Sequence, residues 1–475
     1  MPNGIDVNEA IECPRRATGS ASTTVAGGVA CPSVGQAAAM TTPVNLDILK
    51  CMTTKTGTSK MTRSLRATAL MMTAAVALAG TGVASASANR STAFAAASHD
   101  GAMQDVARQV LALGAPGYMA RINDGNRVAI TAAGLADKAT RRPVTGYEQF
   151  EIGSNTKTFT ATLALQLVDR GRLVLDAPVS RYLPGVVPNG RNITVRMLLN
   201  HTSGLFSYTA DPDFFANLEK DPQHVVTEQE LLDVAFRHEP NFAPGKGWSY
   251  SNTNYILIGM ILQRLTGESL PELVQERIAR PLGLKRTYFA NPRATNTGPG
   301  YAHGYAVKFG ETPRTYTDVS GLPIGGWGGA AGAVISTQKE LSQFFSAVLG
   351  GKLFSQEQLK QMKTTVDLPE GIGIEGGYGL GLFKIDSPCG TVWGHGGDTL
   401  GHHSTAVVSA DGRRTAVSDT TVEPSDTEQN DGVNRYYQVA FAAEDVTICQ
   451  MLDKPVPAAV IQALHGTTPS SPATK

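Results

Sequence analysis

In the stretch FEIGSNTKTFTATLALQLVDRG, residues 150–171, Ser154 and Lys157 stand three positions apart at the head of an apolar helical stripe. A serine hydroxyl is a weak nucleophile until a neighbour takes its proton. Positions i and i+3 of a helix share a face, so the Lys157 amine can reach the Ser154 oxygen. The start of a helix also turns unsatisfied backbone N–H groups outward, where they favour developing negative charge. The spacing has a second reading, in which Ser154 only caps the helix. S-x-x-K also arises by chance in a chain of this length.

Two further stretches supply groups of the right type. WSYSNTNYILIG places Tyr250 two residues before Asn252 and ahead of another apolar helix. VWGHGGDT places His395, Gly396, Gly397 and Asp398 in a strand pattern. A phenol near an ammonium ionises more readily or relays a proton, and an amide can hold a substrate carbonyl or the lysine. Paired glycines let a substrate backbone lie beside a strand, and His395 is expected to titrate near neutrality. Each feature taken singly also fits a core or surface residue. His395, His402 and His403 cluster in sequence, but neighbouring strand residues point to opposite faces and there is no H-E-x-x-H pattern, so no metal is expected. A G-x-S-x-G elbow and a Gly-rich phosphate loop are both missing.

In their order, S-x-x-K, Y-x-N and [KH]-x-G resemble the active-site motifs of the penicillin-recognising serine hydrolases. That superfamily contains D-alanyl-D-alanine carboxypeptidases, class C β-lactamases and related esterases. GRLVLDAPVSRYLPG, ITVRMLLNHTSGL, AGAVISTQKEL and GYGLGL extend the resemblance to the secreted carboxypeptidases, roughly from Met103 to Cys449. The resemblance implies that Ser154 is acylated, that Lys157 helps deprotonate it, and that Tyr250 relays protons. Which of Lys157 and Tyr250 is the principal base stays open. It also implies that Asn252 binds a substrate amide, that His395 fills a position held by lysine or histidine, and that Trp327 walls the pocket. The N–H groups of Ser154 and Asp398 would form an oxyanion hole, worth about 3–4 kcal/mol per donor. Cys389 and Cys449 match a disulfide pair of the family.

Two positions depart from the pattern. Phe383 stands where the carboxypeptidases carry an arginine that grips a terminal D-alanine carboxylate, with Lys384 next to it. Asp398 stands in a motif that usually holds threonines, and should repel a carboxylate unless Lys384, His402 or His403 compensates. The resemblance as a whole implies a serine-type D-alanyl-D-alanine carboxypeptidase acting on peptidoglycan stem peptides or related D-peptides, whereas the two departures point towards a relative that prefers an ester, an amide or an amino-bearing substrate. The alternatives are an esterase, a D-aminopeptidase, a class C-like β-lactamase, or a non-catalytic binder of β-lactams. No cofactor is implied, and the substrate is a small peptide, ester or β-lactam.

The elements that must position these groups follow from periodicity. HDGAMQDVARQVLALG reads as a helix stopped by Gly114; GYMARIND and RVAITAAGLAD read as strands joined at Asp124-Gly125-Asn126. Residues 181–319 are rich in helices and loops, and strand patterns return after Gly373, followed by a last helix in NRYYQVAFAAEDV. Strands from both ends around helices predict an α/β (α+β) fold: an antiparallel sheet flanked by helices, built from the N- and C-terminal halves, with an inserted, mainly helical lobe. The sheet domain is expected over 99–180 and 320–450, the lobe over 181–319, and a flexible tail over 451–475.

The chain has 475 residues, with Lys+Arg and Asp+Glu both at 41. That balance offers no field for nucleic acid or an anionic membrane. From Met61, a basic start (Arg63, Arg66), an apolar stretch and Ala86-Ser87-Ala88 read as a secretory signal peptide over 61–88. The stretch is Ala/Gly/Thr-rich and short for the competing reading, a transmembrane anchor. Secretion is thus expected, with residues 1–60 as a non-structural extension from a mis-called start. A monomer without a stable membrane anchor is expected. Only Cys389 and Cys449 then remain in the mature chain, as one disulfide or as two buried thiols.

Overall fold

The computed structural model describes residues 99–292, 298–426 and 430–466. The expected extension (1–60), the signal peptide (61–88) and the end of the tail (467–475) lie outside the described residues. None of the described helices is long and apolar enough to cross a membrane.

Nine strands form the main sheet: β1 (Gly117–Asn123), β2 (Val128–Asp137), β3 (Arg142–Pro143), β4 (Val366–Asp367), β5 (Gly376–Tyr378), β6 (Phe383–Ser387), β7 (Gly390–Asp398), β8 (His403–Ser409) and β9 (Thr415–Thr420). Their order is β3-β2-β1-β9-β8-β7-β6-β5-β4, with every neighbouring pair antiparallel. Asp124-Gly125-Asn126 makes the first hairpin, with Asn123 opposite Val128 and Gly125 at φ +91°. The two halves of the chain meet where β1 pairs with β9, Tyr118 opposite Thr420. This is the antiparallel, helix-flanked sheet predicted from the patterning.

Both faces of the sheet are covered, because strand side chains alternate. Tyr118, Ala120, Val407 and Ala416 enter one core with Met103, Val106 and Val110 of α1 (His99–Ala112). Met119, Ala406, Val408 and Val417 enter the other, with α2 (Thr156–Asp169), α3 (Asn252–Thr266) and α4 (Gln338–Leu349). There Phe159 stacks on Phe344, their ring centroids 3.6 Å apart. α5 (Asp431–Met451) returns to the first face and adds Tyr436, Val439 and Val446. Cys449 of α5 is disulfide-bonded to Cys389 beside the β6–β7 turn.

Two expectations need amending. Residues 181–319 carry helices such as Glu228–Ala235, which a Thr227/Glu230 capping box starts, but also short strands at Tyr305–Val307 and Tyr316–Asp318. Val422–Pro424 adds to these in parallel, with Glu423 opposite Ala306. Within the expected tail, Ala458–His465 is a helix, α6, because Val460 and Leu464 bury against the α1–α5 core.

Candidate active site

Strand Gln149–Glu151 pairs with Val334–Thr337 and leads into a 3-10 turn, Gly153–Asn155, that runs on into α2. The turn rests directly on the end of β7. Gly153 adopts φ +50°, and a Cβ there would lie 2.6–2.7 Å from the Asp398 backbone O and N. A Cβ on Gly397 would lie 2.0 Å from the Ile152 carbonyl and 2.6 Å from Asn155 Nδ2. Gly397 therefore makes room for the turn carrying Ser154, not for a substrate as expected. Gly396 alone of the pair lines the cleft, with nothing nearer a Cβ than Ser404 O at 3.8 Å.

Ser154 does not cap α2; its Oγ lies 2.8 Å from Lys157 Nζ. The Lys157 side chain is completely buried. Its nitrogen also meets Asn252 Oδ1 at 2.7 Å and the Ala331 carbonyl at 3.0 Å. Gly259 of α3 allows this convergence, since a Cβ there would come within 2.6 Å of Ala330 Cβ. Asn252 is oriented in turn: its Nδ2 donates to Thr209 Oγ1 at 2.9 Å, and Ser207 Oγ accepts its backbone N–H at 3.0 Å. Burial pushes the Lys157 pKa well below the ordinary lysine value, against the pull of the Asp398 charge. A neutral amine has two N–H groups for the two carbonyl oxygens and one lone pair for the Ser154 hydroxyl. The three contacts fit that form.

Tyr250 completes the group. Its ring lies 4.7 Å from Lys157 Nζ, and its phenol is a hydrogen-bonding partner of Ser154. Burial raises its pKa well above the ordinary value despite that bond, so it stays a neutral O–H donor. The expectation that lysine eases its ionisation is thereby corrected: desolvation of a phenolate outweighs the amine. Tyr250 packs on His201 with ring centroids 4.4 Å apart.

His395 is also corrected. It is buried, its Nδ1–H donates to the Gly396 carbonyl at 2.6 Å, and its Nε2 accepts from Tyr378 OH at 3.0 Å. Burial and the nearby Lys157 push its pKa down to about 3, so it is neutral near pH 7. Phe383 packs edge-on against Tyr378 and lies 5.1 Å from the His395 ring. Trp327 also lines the cleft and meets Phe215 edge-on. The cleft brings together Ser154, Tyr250, Asn252, Trp327, Phe383, His395, Gly396 and Asp398, whereas Lys157 lies just behind it. Among the described residues lining it, none is lysine or arginine.

None of the three cations weighed from the sequence offsets Asp398 in the cleft as free positive charge. Lys384 pairs with Asp386 at 2.7 Å, and His402 pairs with buried Asp419. His403 binds Asp398 through Nδ1, but its Nε2 faces Glu444 at 3.2 Å. Sequence reasoning missed Gly153, Ser207, Thr209 and Glu423. A glycine just before Ser154 was a usable signal for the tight turn. Nothing local marks Glu423, which a parallel strand pairing delivers from far along the chain.

A fold of this kind, with a serine, a buried lysine and a phenol joined across it, defines a penicillin-recognising serine hydrolase. The chain belongs to the beta-lactamase family, whose profile matches residues 103–437. It is 30% identical over 333 residues to penicillin-binding protein 4* of Bacillus subtilis, covering 68% of this chain and 70% of that one. Among solved structures it resembles a D-stereospecific amidohydrolase from Streptomyces sp., at 38% identity and TM-score 0.63, over 68% of this chain and 94% of that one. It also resembles the D-amino acid amidase of Ochrobactrum anthropi SV3, at 28% identity and TM-score 0.63, over 75% and 99% of the two chains.

Proposed function

We propose that this serine hydrolase cleaves amide, peptide or ester bonds of D-configured substrates through an acyl-enzyme on Ser154, with Lys157 as the base. The observation that carries the reading is the buried Lys157 amine, 2.8 Å from Ser154 Oγ and held by two carbonyl oxygens. Ser154 Oγ attacks the scissile carbonyl carbon while its proton passes to Lys157 Nζ. The N–H groups of Ser154 and Asp398 hold the oxyanion, since Gly153 seats the nucleophile turn against the Asp398 backbone. The neutral Tyr250 phenol donates its proton to the leaving group and recovers one from Lys157. Water then attacks the ester carbonyl and the same transfers run in reverse, returning the proton to Ser154.

Similarity to two D-amidohydrolases supports the D-configuration. A cleft lined by Phe383 and Asp398, without lysine or arginine among its described residues, argues against recognising a terminal carboxylate. The second reading, a D-alanyl-D-alanine carboxypeptidase, is favoured by the likeness to penicillin-binding protein 4*. Export from Met61 is part of the proposal, and the Cys389–Cys449 disulfide fits an oxidising compartment.

The test offers the protein diacyl-Lys-D-Ala-D-Ala, D-phenylalanine amide and p-nitrophenyl acetate, with mass spectrometry of the intact chain. An acyl adduct that disappears in Ser154→Ala is expected, with turnover of the amide exceeding that of the diacyl tripeptide. An adduct that persists in Ser154→Ala refutes the nucleophile. Preferential release of D-alanine from the tripeptide establishes the carboxypeptidase instead.

A further inference from the structure

We infer that the Asp398–Glu423 end of the cleft is a subsite for a substrate ammonium, so that the acyl group placed on Ser154 carries a free amine. This rests on the acyl-enzyme reading above and names its substrate class. Both residues line the cleft with Ser154. Glu423 is nearly fully buried; its Oε1 accepts from Tyr437 OH at 2.6 Å, while its Oε2 has no hydrogen-bond partner among the described residues. A buried carboxylate oxygen without a partner, on a residue that lines the cleft, is an acceptor still to be satisfied. Burial, together with the Asp398 charge, raises the Glu423 pKa, and an arriving cation would favour its ionised form.

The surroundings decide which cation. Asp398, His403 and Glu423 each place a polar atom within 4.8 Å of the others, a spacing that a metal ion could use. His403, however, has a carboxylate at each ring nitrogen, Asp398 at Nδ1 and Glu444 at Nε2. Burial opposes its protonation, but Asp398 and Glu444 prevail, and its pKa stands well above the ordinary value. An imidazolium has no lone pair for a metal. Its single positive charge is outweighed by the two carboxylates, so the end stays negative before Glu423 is counted. An ammonium brings its own N–H donors to these oxygens and displaces nothing.

Position along β7 decides which part of the substrate carries the amine. His395 lies beside Tyr250, the proton donor to the leaving group, with ring centroids 6.2 Å apart. Asp398 is three residues further on, about 10 Å along a strand that rises about 3.3 Å per residue. The leaving group therefore occupies the His395 end and the acyl group the Asp398 end. An amine on the carbon next to the scissile carbonyl would then face the two carboxylates. Phe215, Trp327 and Leu400 offer an apolar wall for its side chain.

The test compares D-phenylalanine amide with N-acetyl-D-phenylalanine amide and 3-phenylpropanamide, with kcat/KM as the readout. The wild-type protein should prefer the free amine by about 100-fold or more, as expected of a site built to bind a polar group. In Glu423→Gln that preference should fall about tenfold or more, chiefly through KM. Tyr437→Phe removes only the hydroxyl that holds Glu423 Oε1 and should lower the preference less. If neither variant folds, the wild-type preference decides alone. A wild-type preference near one, or one unchanged by Glu423→Gln, overturns the subsite. Intact-chain mass spectrometry after p-nitrophenyl acetate keeps the two failures apart: an acetyl adduct that persists in Ser154→Ala refutes the acyl-enzyme reading, whereas a Ser154-dependent adduct without amine preference refutes only the ammonium subsite.

Discussion

Asn252→Asp changes one amide nitrogen to oxygen yet should disable the base. Asn252 Oδ1 already lies 2.7 Å from Lys157 Nζ. A carboxylate there and an ammonium on Lys157 attract by about 6 kcal/mol at an effective dielectric of about 20. The new charge is shared between two oxygens and must be desolvated, so about 3 kcal/mol survives. At 1.36 kcal/mol per unit, that raises the Lys157 pKa by about two units. In the wild type, burial lowers this pKa and extends the neutral base to lower pH. The acid limb of acylation should therefore move up by about two units in the variant, and below it the rate should fall about 100-fold. Single-turnover acylation by a chromogenic ester, followed from about pH 5 to about pH 10, measures this. The loss should be rescued at high pH. A loss by the same factor at every pH would mean that Asn252 acts only on substrate and that a neutral Lys157 is not the base.

Gly397→Ala and Gly396→Ala should separate two neighbouring glycines. The first drives a methyl to 2.0 Å from the Ile152 carbonyl and should abolish acylation and cost about 3 kcal/mol or more in urea unfolding. The second meets only Ser404 O at 3.8 Å and should alter KM with little loss of stability. His395 bears on acid stability. Its pKa is about 3 in the folded chain against 6.5 unfolded, so the unfolded state takes up its proton first and stability falls as pH drops below about 6.5. His395→Gln should remove roughly 4–5 kcal/mol of that loss between pH 6.5 and pH 3, read as a flatter profile of melting temperature against pH. An unchanged profile would mean that His395 is protonated in the folded chain.

The motifs and most of the elements were legible because they are local. Ser154 and Lys157 are three residues apart where a 3-10 turn runs into α2, and the turn at Asp124-Gly125-Asn126 and the stop at Gly114 are written in adjacent residues. The antiparallel sheet could be anticipated from strand patterns at the two ends, since they need each other to bury their apolar faces. The protonation states could not. An isolated imidazole or phenol has an ordinary pKa; burial, with Lys157, lowers that of His395, and burial raises that of Tyr250 still further.

By itself, the sequence marked Ser154, Lys157 and Tyr250 as candidates and pointed to the family, because residue types, their spacing and their order along the chain carry that resemblance. The tertiary structure decided that Lys157 can rest as a neutral base, since its amine is buried between two carbonyl acceptors, Asn252 Oδ1 and Ala331 O, and the Ser154 hydroxyl. It also decided that Gly397 faces the nucleophile turn and that Glu423 joins the cleft. Those outcomes depend on which distant backbones touch, and no local pattern encodes a contact between segments hundreds of residues apart.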